Sequence, residues 1–172
     1  MLVQNAGLAV VAVGVTFVII GGNYDLSVGA VAGLAGVLFA KYTEAHSILV
    51  GAAVALLAAL ACGLVNAIIV AKLRVNSFMA TFATGLVFSG LALNYQGPRQ
   101  ISVSAAHFDA LGLAKWGPVP EPIVLTVAAF VVGAVVLERT SFGQNVYAVG
   151  SNKEAARLVG LPVTRTLGAT FV

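Results

Sequence analysis

The chain has 172 residues, 60% of them hydrophobic and 9% charged, with a formal net charge of +3, whereas soluble domains carry about 25% charged residues. A mean hydropathy of +1.02 and long uncharged runs put it among membrane proteins. Its basic residues fall between apolar runs, where they set orientation and give no sign of nucleic-acid binding.

Leu2 to Ile20 is apolar apart from Gln4, Asn5 and Thr16, long enough to cross a hydrocarbon core of roughly 30 Å. Without a basic n-region or a small-residue cleavage site it reads as a span and not a secretory leader. The run then breaks at Gly21-Gly22-Asn23-Tyr24-Asp25-Leu26-Ser27 and resumes at Val28. Val28 to Ala40 alone falls short of a bilayer, so it either extends over Leu26 to Tyr42 as a thin span or forms half of a broken helix. Gly22, Gly29, Gly33 and Gly36 share one helical face, which predicts close helix–helix approach there.

Lys41 to Ser47 reads as a short polar loop. Ile48 to Ala71 is the clearest span, with Ala55, Ala59, Cys62 and Asn66 on a small-residue packing face. The lone cysteine, Cys62, can form no intrachain disulfide. A basic turn, Lys72 to Asn76, leads to a span from Ser77 to Asn94 with Ser77, Thr81 and Thr84 along one side. Tyr95 to Glu121 is the longest loop and contains Trp116, suited to an interfacial anchor. Pro122 to Leu137 is a further span, begun by a proline that a first turn accepts.

Arg139 to Arg165 is a polar island. Ser151 and Glu154 have capping-box spacing, which predicts a helix from Asn152 to Val159, closed by Gly160 in the left-handed position with Pro162 beyond. Ala155, Leu158 and Val159 share one face; Lys153 and Arg157 lie on another. So short a helix is not held by propensity, so its apolar face needs a surface to dock against. If this island and the 72–76 turn share a side, that side holds Lys72, Arg74, Arg139, Lys153, Arg157 and Arg165, leaving Lys41, Arg99 and Lys115 opposite. The positive-inside rule then makes the island cytoplasmic.

Three of these stretches, in order, resemble the permease subunits of sugar-type (ribose/xylose/arabinose-like) ABC importers. GGNYDLSVG is similar to their Gly-Gly-x-Asp-Leu-Ser-Val-Gly signature, with Asn23-Tyr24 in place of one residue. VNSFMATFATGLVFSGLAL is similar to their Pro/Asn-Ser-Phe-x-Ala-Thr-Leu-Gly entry. FGQNVYAVGSNKEAARLVGLPV resembles the coupling loop, a Gly-Asn-x-Glu-Ala-Ala-Arg-x-x-Gly run, with Ser151 inserted after Gly150. The resemblance runs from about Gly21 to Val163.

It implies an all-α, polytopic transmembrane helix bundle in the bacterial cytoplasmic (inner) membrane. Residues 1–172 would form one permease domain, with a broken or short helix after Gly21-Gly22 and a cytoplasmic coupling helix within 139–165. It further implies ATPase coupling through Gly150, Ser151, Asn152, Glu154, Ala155, Ala156, Arg157 and Gly160. The implied partners are two ABC ATPase subunits, a second permease copy, an extracytoplasmic sugar-binding protein and the lipid bilayer, with ATP hydrolysed on the ATPases. Thr166 to Val172 reads as the start of another span, so the expectation is a chain about half the family's length.

The residues themselves offer no catalytic constellation. No Gly-rich phosphate loop precedes a Lys-Ser/Thr pair, and no Ser-His-Asp spacing occurs. His46 and His107 stand in separate loops without nearby Cys or paired acids, which predicts neither metal nor other cofactor. Asp25 is the acid that would lie at membrane depth, where a charge costs on the order of 2.5–3.5 kcal/mol. Three readings stay open for it: capping the helix that starts at Val28, lining a polar substrate path with Asn23 and Ser27, or binding a proton or ion. Asn66, Ser77, Thr81 and Thr84 are further candidates for such a path, since a sugar is met by neutral donors and acceptors. The alternatives to an ABC importer are an ion-coupled secondary transporter using Asp25 and a non-functional truncated permease.

Overall fold

A computed structural model of the chain describes residues 2–98, 101, 103, 115, 116 and 119–172. Helix α1 (Leu2–Ile20) ends at the glycine break, and α2 (Val28–Ala45) follows it. Helix α3 (Ile48–Ala67) runs into a π-helical turn, Ile68–Lys72, and α4 (Ser77–Gln96) starts after a short connection. A two-residue antiparallel pairing of β1 (Lys115–Trp116) with β2 (Val119–Pro120) precedes α5 (Glu121–Arg139). Three short helices complete the described chain: α6 (Ser141–Ser151), α7 (Lys153–Leu158) and α8 (Val163–Ala169). Most of the 95–121 loop, including His107 and the Trp116 side chain, lies outside the described residues.

Four stretches among the described residues are long and apolar enough to cross a membrane: Val3–Ile20, Ile48–Lys72, Ser77–Gln96 and Glu121–Arg139. They are apolar nearly all round, and residues such as Leu49, Leu56, Leu86 and Val132 are exposed, the pattern of helices solvated by lipid. The fold is an all-α polytopic bundle.

Helices α2, α3 and α4 pack around Leu34, Leu38, Cys62 and Phe88. Helix α1 lies against α5. The two are parallel, because contacts advance along both: Thr126 Oγ1 donates to the Ala6 carbonyl and Gly133 receives Val13, and just past α5 Phe17 stacks on Phe142 of α6 at 6.2 Å. A second core, Val18, Val70, Ala80 and Phe171, ties the end of α1 to the α3–α4 junction. A third, Ala71, Val149, Ala156, Val163 and Leu167, fastens α6, α7 and α8 beneath the π-turn.

Several expectations are corrected. Lys41 to Ser47 is not a loop: α2 continues to Ala45 and only His46 and Ser47 connect it to α3. Gly51 permits this tight hairpin, since a Cβ there would overlap the Thr43 hydroxyl and the Phe39 carbonyl. With 18 residues, α2 is one short continuous helix. The glycine face is not its packing face within this chain. A Cβ added at Gly29, Gly33 or Gly36 would meet nothing within 4 Å, and Gly22 lies outside the helix. Leu34 and Leu38 turn toward α3 and α4, where they remove more apolar surface than glycines can. The polar island carries a helix, α6, ahead of the expected one, and Val146 and Val149, fully buried, hold it in place.

Candidate functional site

The α1–α2 break is held at both ends. Gly22, at φ +72°, closes α1: the Gly22 amide donates to Ile19 O at 2.9 Å and the Asn23 amide to Val18 O at 3.0 Å. This is a Schellman closure, which leaves Asn23 to Ser27 non-helical. An irregular stretch among membrane helices must find partners for its backbone groups within the protein. Helix α4 supplies them. The Tyr24 amide donates to Ser77 Oγ at 3.1 Å and the Leu26 amide to Thr81 Oγ1 at 3.0 Å.

The side chains of the break and of α3 and α4 form a directed chain. Thr84 Oγ1 donates to Asn66 Oδ1 at 2.7 Å, Asn66 Nδ2 to Ser27 Oγ at 2.7 Å, and Ser27 Oγ to Asp25 Oδ1 at 2.7 Å. Asp25 Oδ1 also accepts the Ser27 amide at 2.8 Å. The carboxylate thus holds the amide just ahead of α2, not those of its first turn. Ser27, Asn66 and Thr81 are fully buried, and Asn23 and Ser77 nearly so. Gly85, which the sequence reading passed over, makes the approach possible: a Cβ would stand 3.3 Å from Ser27 Cα. Its signal was available, since it falls one turn beyond Thr81 on the same face.

All seven path candidates, Asn23, Asp25, Ser27, Asn66, Ser77, Thr81 and Thr84, therefore gather at this break. Most of their polar capacity is spent on one another and on the backbone, forming a clasp. Asp25, Ser27 and Asn66 also border a cleft of about 470 Å³ that Val31, Leu60 and Phe171 make mostly apolar.

Of the expected coupling residues, Gly150 lies directly against the break, and Lys153, outside that set, also reaches it. Gly150 sits on the end of α1, where a Cβ would overlap the Ile20 carbonyl and stand 3.2 Å from Gly21 Cα. Lys153 Nζ reaches Asn23 Oδ1 at 3.5 Å. The cap of α7 differs from the expected one. Ser151 is the last residue of α6, so Asn152 is the N-cap, its Oδ1 accepting the Glu154 and Ala155 amides at 3.0 Å each. Glu154 turns instead to Arg157, with Oε1 2.7 Å from Nη1.

Gly160 takes φ +81° as expected. The Gly160 amide donates to Arg157 O at 3.1 Å and the Leu161 amide to Ala156 O at 3.0 Å, a second Schellman closure. Ala156 is buried, but Leu158 and Val159 are 88% and 75% exposed. Helix α7 is anchored on one side and bare on the other.

The break, the 73–76 turn and the segment 141–167 share one end of the bundle, with Gly22, Arg74, Ser77, Lys153 and Leu167 around one cavity. Lys41 lies at the other end, donating to Tyr95 O at 3.3 Å. No group of three or more His, Cys, Asp or Glu residues able to hold a metal occurs among the described residues.

This fold and site define a membrane-embedded, multi-span component in which a short helical segment, 141–158, packs against the end of α1 at the break before α2. Comparison with known proteins is specific. Residues 1–172 match the family described as branched-chain amino acid transport system / permease component. The chain is 40% identical over 98% of its length to the L-arabinose transport system permease protein AraH of Escherichia coli, covering 53% of that protein. It is 39% identical over 94% to the L-arabinose ABC transporter permease protein AraH of Azospirillum brasilense, covering 48% of it. Against the ribose import permease protein RbsC of Bacillus subtilis it is 36% identical over 96%, covering 52% of that protein.

No solved structure matches. The chain belongs to this family of transport-system permease components, and it spans about half the length of the curated relatives it matches. Family membership and its four membrane-length helices make it a bacterial inner-membrane protein.

Proposed function

We propose that the chain forms part of the translocation path of a binding-protein-dependent ABC importer for a small sugar. In this reading α7 is the helix that a separate ATPase grips. The observation that carries it is the pairing of rigidity with exposure at α7. A six-residue helix capped by Asn152 and closed at Gly160 presents Leu158 and Val159 bare, while Gly150 beside it bears on the end of α1.

Closure of the ATPases would press α7, α6 would pass the displacement through Gly150 to the end of α1, and the clasp at residues 23–27 would move with it. ATP is hydrolysed on the partners, and a second permease copy and an extracytoplasmic binding protein complete the assembly. The names of the arabinose and ribose relatives support a sugar as substrate. They do not favour the ion-coupled alternative for Asp25.

The test is Leu158→Asp in the assembled importer. Burying a leucine side chain is worth about 1.5–3 kcal/mol, so ATPase retained on purification should fall by roughly 10- to 100-fold, at 1.4 kcal/mol per tenfold. The permease itself should melt unchanged, because Leu158 touches little of its own chain. Full ATPase retention and normal sugar uptake by Leu158→Asp would remove the proposal.

A further inference from the structure

At the end of the bundle where the break, the π-turn and α7 meet, a cavity of about 450 Å³ falls within the roughly 300–1,000 Å³ of small-molecule sites. Its lining has two chemistries. Arg74, Lys153 and Arg157 contribute three cations from two separate parts of the chain, and no Asp or Glu lines it. Val70, Phe78 and Leu167 give it an apolar flank.

The positive charge is only partly answered from within. Arg157 meets Glu154 on the outer side of α7. Among the described residues, neither Arg74 nor Lys153 pairs with a carboxylate, and Lys153 has only the long contact to Asn23 Oδ1 at 3.5 Å. Arg74 holds φ +58°, the one left-handed non-glycine among the described residues. A side chain kept at a position where glycine would relieve strain is evidence that the side chain is used.

We propose that this cavity is a binding site for the headgroup of an anionic phospholipid. Its phosphate is held by Arg74 and Lys153, and the first part of an acyl chain lies along Phe78 and Val70. The apolar flank argues for a lipid and against a free anion, because inorganic phosphate gains nothing from it. The placement agrees: the cavity is lined by residues from the π-turn to the start of α4, where two membrane-length helices end, as basic pockets for lipid headgroups are. A lipid bound there would touch both the 73–76 turn and the segment carrying Lys153, and so bias their relative position.

The test uses the purified chain in nanodiscs of phosphatidylcholine with and without phosphatidylglycerol, read by native mass spectrometry of retained lipid. Phosphatidylglycerol should be retained in preference to phosphatidylcholine. At about 1 kcal/mol per basic residue, Arg74→Gln and Lys153→Gln should each weaken that preference about fivefold. Lys41→Gln, at the other end of the bundle, should leave it unchanged. Melting temperatures of the variants establish that they are folded. Equal retention of the two lipids, an unaltered preference in the Arg74→Gln, Lys153→Gln double variant, or an equal loss in Lys41→Gln would overturn the site. Displacement of phosphatidylglycerol by millimolar inorganic phosphate would overturn the lipid as its occupant.

Discussion

Asn66 is the middle link of the clasp, and its removal has a calculable effect. Asn66→Ala deletes two hydrogen bonds at 2.7 Å, one to Ser27 Oγ and one from Thr84 Oγ1. Neither hydroxyl is left stranded: Ser27 still donates to Asp25, and Thr84 has the Thr81 carbonyl at 3.3 Å as a second acceptor. Intramembrane side-chain bonds average about 0.6 kcal/mol, with a maximum near 1.7. The two together are therefore worth about 1–2 kcal/mol, before any cost of the space vacated. Thr84→Ala should cost about 0.6 kcal/mol.

Because these two residues bond directly, the double variant should be less destabilised than the sum, by a coupling energy of about 0.6 kcal/mol. Reversible unfolding in mixed micelles, run on all four proteins, measures each corner of the cycle. A Thr84 paired with a residue on another face, such as Ser89, supplies a zero-coupling control. Additivity of Asn66→Ala and Thr84→Ala within about 0.3 kcal/mol would refute the directed chain.

Three further outcomes follow from the same geometry. Gly150→Ala drives a methyl into the Ile20 carbonyl, a backbone atom that cannot rotate away; overpacking of about 1–3 kcal/mol should lower the melting temperature. In the assembled importer it should reduce uptake more than ATPase retention, and normal uptake with unchanged melting would contradict the seat. Asn152→Ala removes the cap of α7, worth about 1 kcal/mol, so amide exchange at Glu154 and Ala155 should quicken about fivefold; Ser151→Ala should leave it unaltered. Asp25→Asn keeps an oxygen to accept from Ser27 and should fold and retain partial uptake. Abolished uptake by the folded Asp25→Asn variant, together with wild-type uptake that a protonophore abolishes, would instead point to proton coupling.

Sequence patterning settled whatever depends on neighbours along the chain. Uninterrupted apolar runs gave α1, α3, α4 and α5 within a few residues of their observed bounds, since length and hydropathy alone decide whether a helix can cross. Gly160 at its left-handed turn was legible because only glycine takes that conformation without strain. The seven polar candidates were also legible, as the groups that an apolar layer would not tolerate without a reason.

Tertiary structure decided what those groups do. Leu26 meets Thr81 across 55 positions and Asn66 meets Ser27 across 39, and no local pattern states such pairings. Ser151 satisfied a capping motif yet lost the role to Asn152, because burial of Val146 and Val149 extends α6 through Ser151 first. The glycines of α2 promised a packing face, but within this chain the larger apolar surface of Leu34 and Leu38 chose the opposite one. A spacing fixes which side chains share a face; only the packed chain fixes what that face meets.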